Sequence, residues 1–188
     1  KSVVAIGPGI STDPETVTLI REILPQIRCP LVLDADALNA LSFHKDLLQK
    51  LLPETVLTPH PKEMSRLIGI STEEIQKNRL QITSMFSCDN SLTLVLKGSP
   101  SLIGFSDGSI VINPTGNPGM ATGGSGDVLT GIIAGLIAQG LSSPEASIAG
   151  TYIHGQTGDH FASSESQTTL IAGDLLRCLP ETLKRIIP

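Results

Sequence analysis

An α/β fold with a mostly parallel central sheet and helices on both faces is the class this sequence predicts, and three observations carry it. Short aliphatic runs alternate with longer helix-like stretches along most of the chain, the pattern of strand–helix–strand units. Polar motifs rich in glycine or proline follow these runs, where ligands dock in open α/β sheets. With 188 residues, 40% of them hydrophobic but only 3% aromatic, the chain can bury one sizeable core of Leu, Ile, Val and Ala.

The first run, Ser2–Ile6, reads as a buried strand that empties into Gly7-Pro-Gly9. Asp13-Pro14 is a helix start, with Asp as N-cap and Pro at the first helical position, and that helix is expected to reach about Leu24. Pro30 precedes a second strand, Leu31-Val-Leu33, which ends in Asp34-Ala-Asp36-Ala-Leu-Asn39. A short helical stretch follows, then a third strand, Thr55-Val-Leu57, and the segment Thr58-Pro-His60-Pro-Lys-Glu63. Ser71-Thr-Glu-Glu74 matches a capping box and is expected to open one helix towards Phe86.

Leu92–Leu96 is the clearest strand, with Lys97-Gly-Ser-Pro-Ser101 at its C-terminal end. Ser101–Phe105 and Ile110–Ile112, joined around Asp107-Gly108, read as a β-hairpin. Three apolar helices complete the chain, at about Asp127–Gln139, Pro144–Phe161 and Ile171–Ile187. Gly131 and Gly135 have the spacing of a membrane dimer motif, but the span is short, and close helix–sheet packing is the expected reason.

A glycine-rich loop, Asn113 to Asp127, runs straight into the first of these helices. Gly123, Gly124 and Gly126 allow close backbone approach to a ligand, and the amides of a helix N-terminus attract phosphate-like anions. Asp127 repels such an anion, which makes sense if it works on a hydroxyl facing the phosphate; the helix dipole alone also favours Asp there. The loop is neither a Walker A motif nor a dinucleotide fingerprint.

The net charge of −5 argues against a general nucleic-acid or anionic-membrane binder, and no long apolar span is present. Cys29, Cys88 and Cys178 lack metal-ligand spacing and are expected as reduced, buried small hydrophobes in a cytoplasmic setting. The chain opens inside a strand and without Met, so an N-terminal portion, with any targeting information, is expected to be missing.

Taken together, Asp34-Ala-Asp-Ala-Leu-Asn39, Thr58-Pro-His-Pro-Lys-Glu63, Leu96-Lys-Gly98 and Gly116-Asn-Pro-Gly-Met-Ala-Thr-Gly-Gly-Ser-Gly-Asp-Val-Leu129 resemble the ADP/ATP-dependent NAD(P)H-hydrate dehydratases. The resemblance covers nearly the whole chain, in order. It implies a ribokinase-like three-layer sandwich over residues 1–188 and a metabolite-repair lyase. On that reading the terminal phosphoryl group of ADP or ATP passes to the C6 hydroxyl of NADH or NADPH hydrate, and elimination restores NAD(P)H. Mg²⁺ offsets the polyphosphate charge, and a homo-oligomer is expected.

Carried onto this chain, the resemblance makes Asp127 the base and a substrate contact, with Gly9 and His60 also lining the hydrate pocket. Lys97, Gly98, Ser99, Pro100, Ser101, Asn117, Gly123, Gly124, Ser125 and Gly126 would meet the nucleotide. Glu63 and Asp34 are the candidate carboxylates near magnesium. Without the resemblance, His60 reads as part of a rigid turn with an ordinary surface imidazole, while the plain alternative for Lys97 is a solvated strand-end lysine. Lys62, Ser11 and Ser101 depart from the family's commoner residues at those positions, and none touches the glycine loop. A ribokinase-like kinase of a small vitamin precursor or sugar is the alternative enzyme; a non-catalytic nucleotide-binding protein is the alternative of another class.

Overall fold

The computed structural model describes residues 3–186, and its centre is a sheet of six strands, adjacent in chain order. These are β1 (Val4–Ile6), β2 (Leu31–Leu33), β3 (Thr55–Leu57), β4 (Thr93–Leu96), β5 (Leu102–Gly104) and β6 (Ile110–Ile112). The first four run parallel, and the last two fold back as antiparallel neighbours. Each parallel step moves the same way across the sheet, so right-handed crossovers put all their helices on one face. That layer holds α1 (Pro14–Ile23), α2 (Ala35–Phe43), α3 (Pro61–Ile68), α4 (Thr72–Lys77) and α5 (Arg79–Asn90). The opposite face is covered by α6 (Ser125–Ala138) and α7 (Ser143–Ala162), with α8 (Ala172–Ile186) packed on both.

The period of two along each strand sorts the core by shape. Leu31, Leu33, Leu57, Leu94, Leu96 and Leu102 point into the α1–α5 layer. Val32, Val56, Val95 and Ile103 point the other way, against Leu129, Ile133 and Ile137 of α6 and Ala146 of α7.

Local chemistry sets the helix ends. Ser142 and Glu145 form a complete capping box at the start of α7. At α3 the same reciprocal arrangement is made by a histidine: His60 Nδ1 accepts from the amides of Lys62 and Glu63, and Glu63 accepts from the His60 amide. Gly69 closes that helix in the left-handed region.

Several expectations need correction. The stretch from Ser71 to Phe86 is two helices, because the chain leaves helical geometry at Asn78 (φ −121°, ψ 28°), and only the Ser71 arm of the expected box forms. Asp13 stands at the N-cap position but makes no capping bond; its Oδ2 accepts from the Ser11 hydroxyl instead. The helical stretch expected after Asp34–Asn39 starts earlier, at Ala35 inside that motif, and α3 likewise starts at Pro61 inside His60–Glu63. The cysteines are free but not buried: Cys88 is exposed, and Cys29 and Cys178 are half-buried. A Cβ added to Gly131 or Gly135 would meet open space, so neither packs against the sheet. Close helix packing lies on α7, where a Cβ at Gly150 would come within 2.8 Å of the Ile133 side chain. The expected strand residue Ser2 and the helix end at Ile187 lie outside the described residues. No helix among the described residues is long and apolar enough to cross a membrane.

Candidate functional site

Parallel pairing brings the C-terminal ends of β1 to β4 to one edge, and with them Gly7-Pro-Gly9, Asp34, His60–Glu63 and Lys97–Ser101. The close fit begins at Gly7 (φ 143°), where any Cβ would collide with the Asp34 backbone carbonyl. Asp34 is 1% exposed and turns its carboxylate away from its own helix. Oδ1 accepts from Lys97 Nζ at 2.7 Å, and Oδ2 accepts from the Thr130 hydroxyl of α6 at 2.8 Å. Lys97 Nζ also lies 3.8 Å from Glu63 Oε2. Glu63 is buried, and its Oε1 faces His60 Nε2 at 3.2 Å. Burial lowers the His60 pKa below the usual imidazole range; the Glu63 charge opposes that shift and Lys97 adds to it.

Lys97 is thus held against the start of α6. A Cβ on Gly126 would sit 3.1 Å from Lys97 Nζ, so the missing side chain is what lets the ammonium reach the helix's first turn. Gly124 supplies the turn itself, at φ 83°, as the residue before the helix. Asp127 follows one residue after Gly126, exposed and without a hydrogen-bond partner among the described residues. Gly9 (φ 71°) has no atom within 4 Å of a built Cβ, leaving its backbone open to approach.

A cavity of about 590 Å³ opens beside this cluster. Its walls include His60, all of Lys97–Ser101, Asn117, Ser125 and Gly126. Gly9, Gly123, Gly124 and Asp127 lie outside its lining, as do Asp34 and Glu63 behind Lys97. A larger groove of about 680 Å³ between β6 and α7 is mainly apolar, with Glu145 as the charged residue in its lining. The smaller cavity carries the polar chemistry.

Sequence reasoning missed three residues that hold these walls. Arg79 of α5 donates to the carbonyls of Leu96, Lys97 and Pro100, bracing the loop after β4. Asp159 of α7 accepts from the Gly116 amide and the Asn117 side chain. His154 of α7 is 9% exposed, with Nε2 at 2.9 Å from the Ser125 carbonyl oxygen. Burial pulls its pKa down to about 4, so the ring is neutral near pH 7. The signal was present: Thr151, His154, Gly155, Gly158 and Asp159 fall at i, i+3, i+4, i+7 and i+8, one face of a helix.

The carboxylates do not fit a metal held by protein ligands alone. Both Asp34 oxygens are engaged by Lys97 and Thr130, and both Glu63 oxygens by His60. Among the described residues no group of three or more His, Cys, Asp or Glu side chains could hold a metal ion.

The layered sheet and the glycine-rich helix start beside a strand-end lysine define the class: a ribokinase-like α/β protein. A solved structure of a ribokinase-like superfamily protein from Enterococcus faecalis matches with a TM-score of 0.80 and 31% identity, covering 98% of this chain and 63% of that one. More narrowly, the family model described as NAD(P)H-hydrate dehydratase matches residues 1–181, and the chain belongs to that family. A bifunctional NAD(P)H-hydrate repair enzyme of Moorella thermoacetica is 50% identical over 184 residues, 98% of this chain and 35% of that protein. The ADP/ATP-dependent NAD(P)H-hydrate dehydratase of Bacillus subtilis, co-crystallised with ATP/Mg²⁺, matches with a TM-score of 0.85 and 33% identity, covering 98% of this chain and 65% of that one. The chain therefore spans about a third of the repair enzyme's length and somewhat under two thirds of the solved dehydratase chain.

Proposed function

We propose that the protein carrying this chain dehydrates the hydrate of NADH or NADPH, using ADP or ATP as phosphoryl donor. The observation that supports this most directly is the juxtaposition of Lys97, held by Asp34 against Gly126, with the uncommitted carboxylate of Asp127 one residue further on. A cation beside a helix N-terminus suits a polyphosphate, and a free carboxylate just outside suits a hydroxyl awaiting a phosphoryl group.

In this reading the nucleotide lies in the cavity, its phosphates towards Lys97 and the amides of Ser125 and Gly126, with Gly123 and Gly124 shaping the turn. The loop Lys97–Ser101 and Asn117 line the rest of the nucleotide's path. The nicotinamide hydrate approaches past Gly9 and His60. Asp127 takes the proton of the C6 hydroxyl as its oxygen bonds to the terminal phosphorus and the bond to the donor's leaving phosphate breaks. The C6–O bond then breaks, phosphate departs, and loss of a ring proton restores the double bond. Magnesium belongs to the nucleotide, because such ions keep water and phosphate ligands; Asp34 and Glu63 act on Lys97 instead of on the ion.

The test uses the full-length protein with NADPH hydrate, Mg²⁺ and either ADP or ATP, followed by reduced-nicotinamide absorbance. A nucleotide-dependent rise with release of phosphate is expected. A phosphorylated acceptor accumulating without that chromophore would replace the dehydratase with a kinase.

A further inference from the structure

We infer that His154 is a positioning residue that aims the phosphate-facing amide of Gly126, an inference that rests on the nucleotide site proposed above. A carbonyl can only accept, so the 2.9 Å approach of His154 Nε2 to the Ser125 oxygen places the ring proton on Nε2. The Ser125 hydroxyl, 3.2 Å from the same nitrogen, shares that donor.

The Ser125 carbonyl and the Gly126 N–H belong to one planar peptide unit and point in opposite directions. Fixing the oxygen therefore fixes the amide. The peptide lies in the first turn of α6 with glycines on both sides of Ser125, so the His154 contact adds a side-chain constraint to the one the helix already supplies. Lys97 constrains the cation of the site, but nothing from β4 reaches the Ser125 carbonyl.

The helix that carries His154 is placed to do this. Gly150 lets α7 approach Ile133 of α6, while Gly155 and Gly158 seat the side chains of Thr115 and Met120. These glycines share one helix face with His154, so the imidazole is presented at a set distance across the α6–α7 contact. Nδ1 keeps its lone pair, with no hydrogen-bond partner among the described residues, in a side chain that lines the cavity.

The experiment measures ADP binding by calorimetry and dehydratase turnover for full-length wild-type protein, H154L and H154Q. Leu removes the donor; the Gln amide nitrogen superposes on Nε2 and can donate to the same carbonyl. H154L is expected to weaken ADP about tenfold and raise its KM, with the KM for the hydrate unchanged; H154Q is expected to recover most of the loss. H154N places its amide near Nδ1 and cannot reach Ser125, and it supplies the same comparison should H154L fail to fold. Wild-type ADP affinity in H154L or H154N, or equal loss in H154Q, would overturn the positioning role. Failure of the wild-type protein to bind ADP would instead overturn the nucleotide site itself.

Discussion

Lys97 and Asp34 are 63 residues apart in sequence and follow the ends of strands separated by β3, yet their charged atoms stand 2.7 Å apart at the mouth of the site. The carboxylate is almost fully buried, so the pair works in a low-dielectric setting where losing one partner is costly. Lys97→Met should destabilise the fold by about 3 kcal/mol, because it removes the counter-ion of a buried carboxyl group. Adding Asp34→Asn should restore most of that stability but none of the nucleotide affinity. Chemical denaturation and ADP calorimetry on the single and double variants check both statements.

Gly126→Ala separates stability from binding. The helix propensity gained with alanine, at most about 1 kcal/mol, is opposed by the disturbance of the Lys97–Asp34 pair, so the melting temperature should change little. The new methyl group, 3.1 Å from Lys97 Nζ, should push the ammonium aside and weaken ADP about tenfold. Unchanged ADP affinity would show that Lys97 does not need its present position.

Asp127→Asn should leave the fold intact, since the side chain is exposed and unbonded among the described residues. Turnover should fall by roughly 10²- to 10⁴-fold, the range of a lost general base. ADP should bind no worse, as a negative charge beside a phosphate site has been removed. Stopped turnover with lost ADP binding would move Asp127 from chemistry to nucleotide recognition.

His60 has a structural duty that must be separated from substrate contact. His60→Ala should cost about 1 kcal/mol through loss of the α3 cap, whereas His60→Asn should keep the cap. Both should raise the KM for the hydrate. A normal KM in His60→Asn would leave His60 with the cap alone.

His154 predicts a pH dependence. Its folded pKa of about 4 lies below the ordinary 6.5, so between those values the unfolded chain binds the proton more readily than the folded one. The stabilising contribution is complete above pH 6.5 and is lost as pH falls through the folded value, by at most about 3 kcal/mol. Denaturation of wild type and His154→Gln across that window should show the wild type losing more; parallel profiles would refute the shift.

Much of the sheet was legible because the signals are local. Leu31–Leu33 and Thr55–Leu57 are short aliphatic runs bounded by proline or polar residues, and each is the observed strand. The glycine-rich loop was legible for the same reason, its residues lying in one continuous stretch. The pairs Lys97–Asp34 and Asp34–Thr130 were not, because separations of 63 and 96 residues acquire meaning only once the strand order is known. The capping role of His60 was not legible, because imidazole is not among the preferred N-cap side chains. Asn78 breaks a stretch whose overall pattern suits one helix, and His154 hid in a helix that reads as mere sheet cover.

The division of leucine from β-branched side chains across the sheet has a consequence for the glycine turn. Leucine swings between rotamers readily, whereas valine and isoleucine are stiff at χ1. The layer beneath α1–α5 can therefore repack more easily around a changed side chain than the bed beneath α6, made by Val32, Val56, Val95 and Ile103, which is hard. The glycine turn is the tip of a lever resting on that hard bed. Enlarging Val56 or Val95 by one carbon would tilt the lever and misdirect the turn, while Leu57→Met or Leu94→Met on the compliant side would be absorbed where it stands.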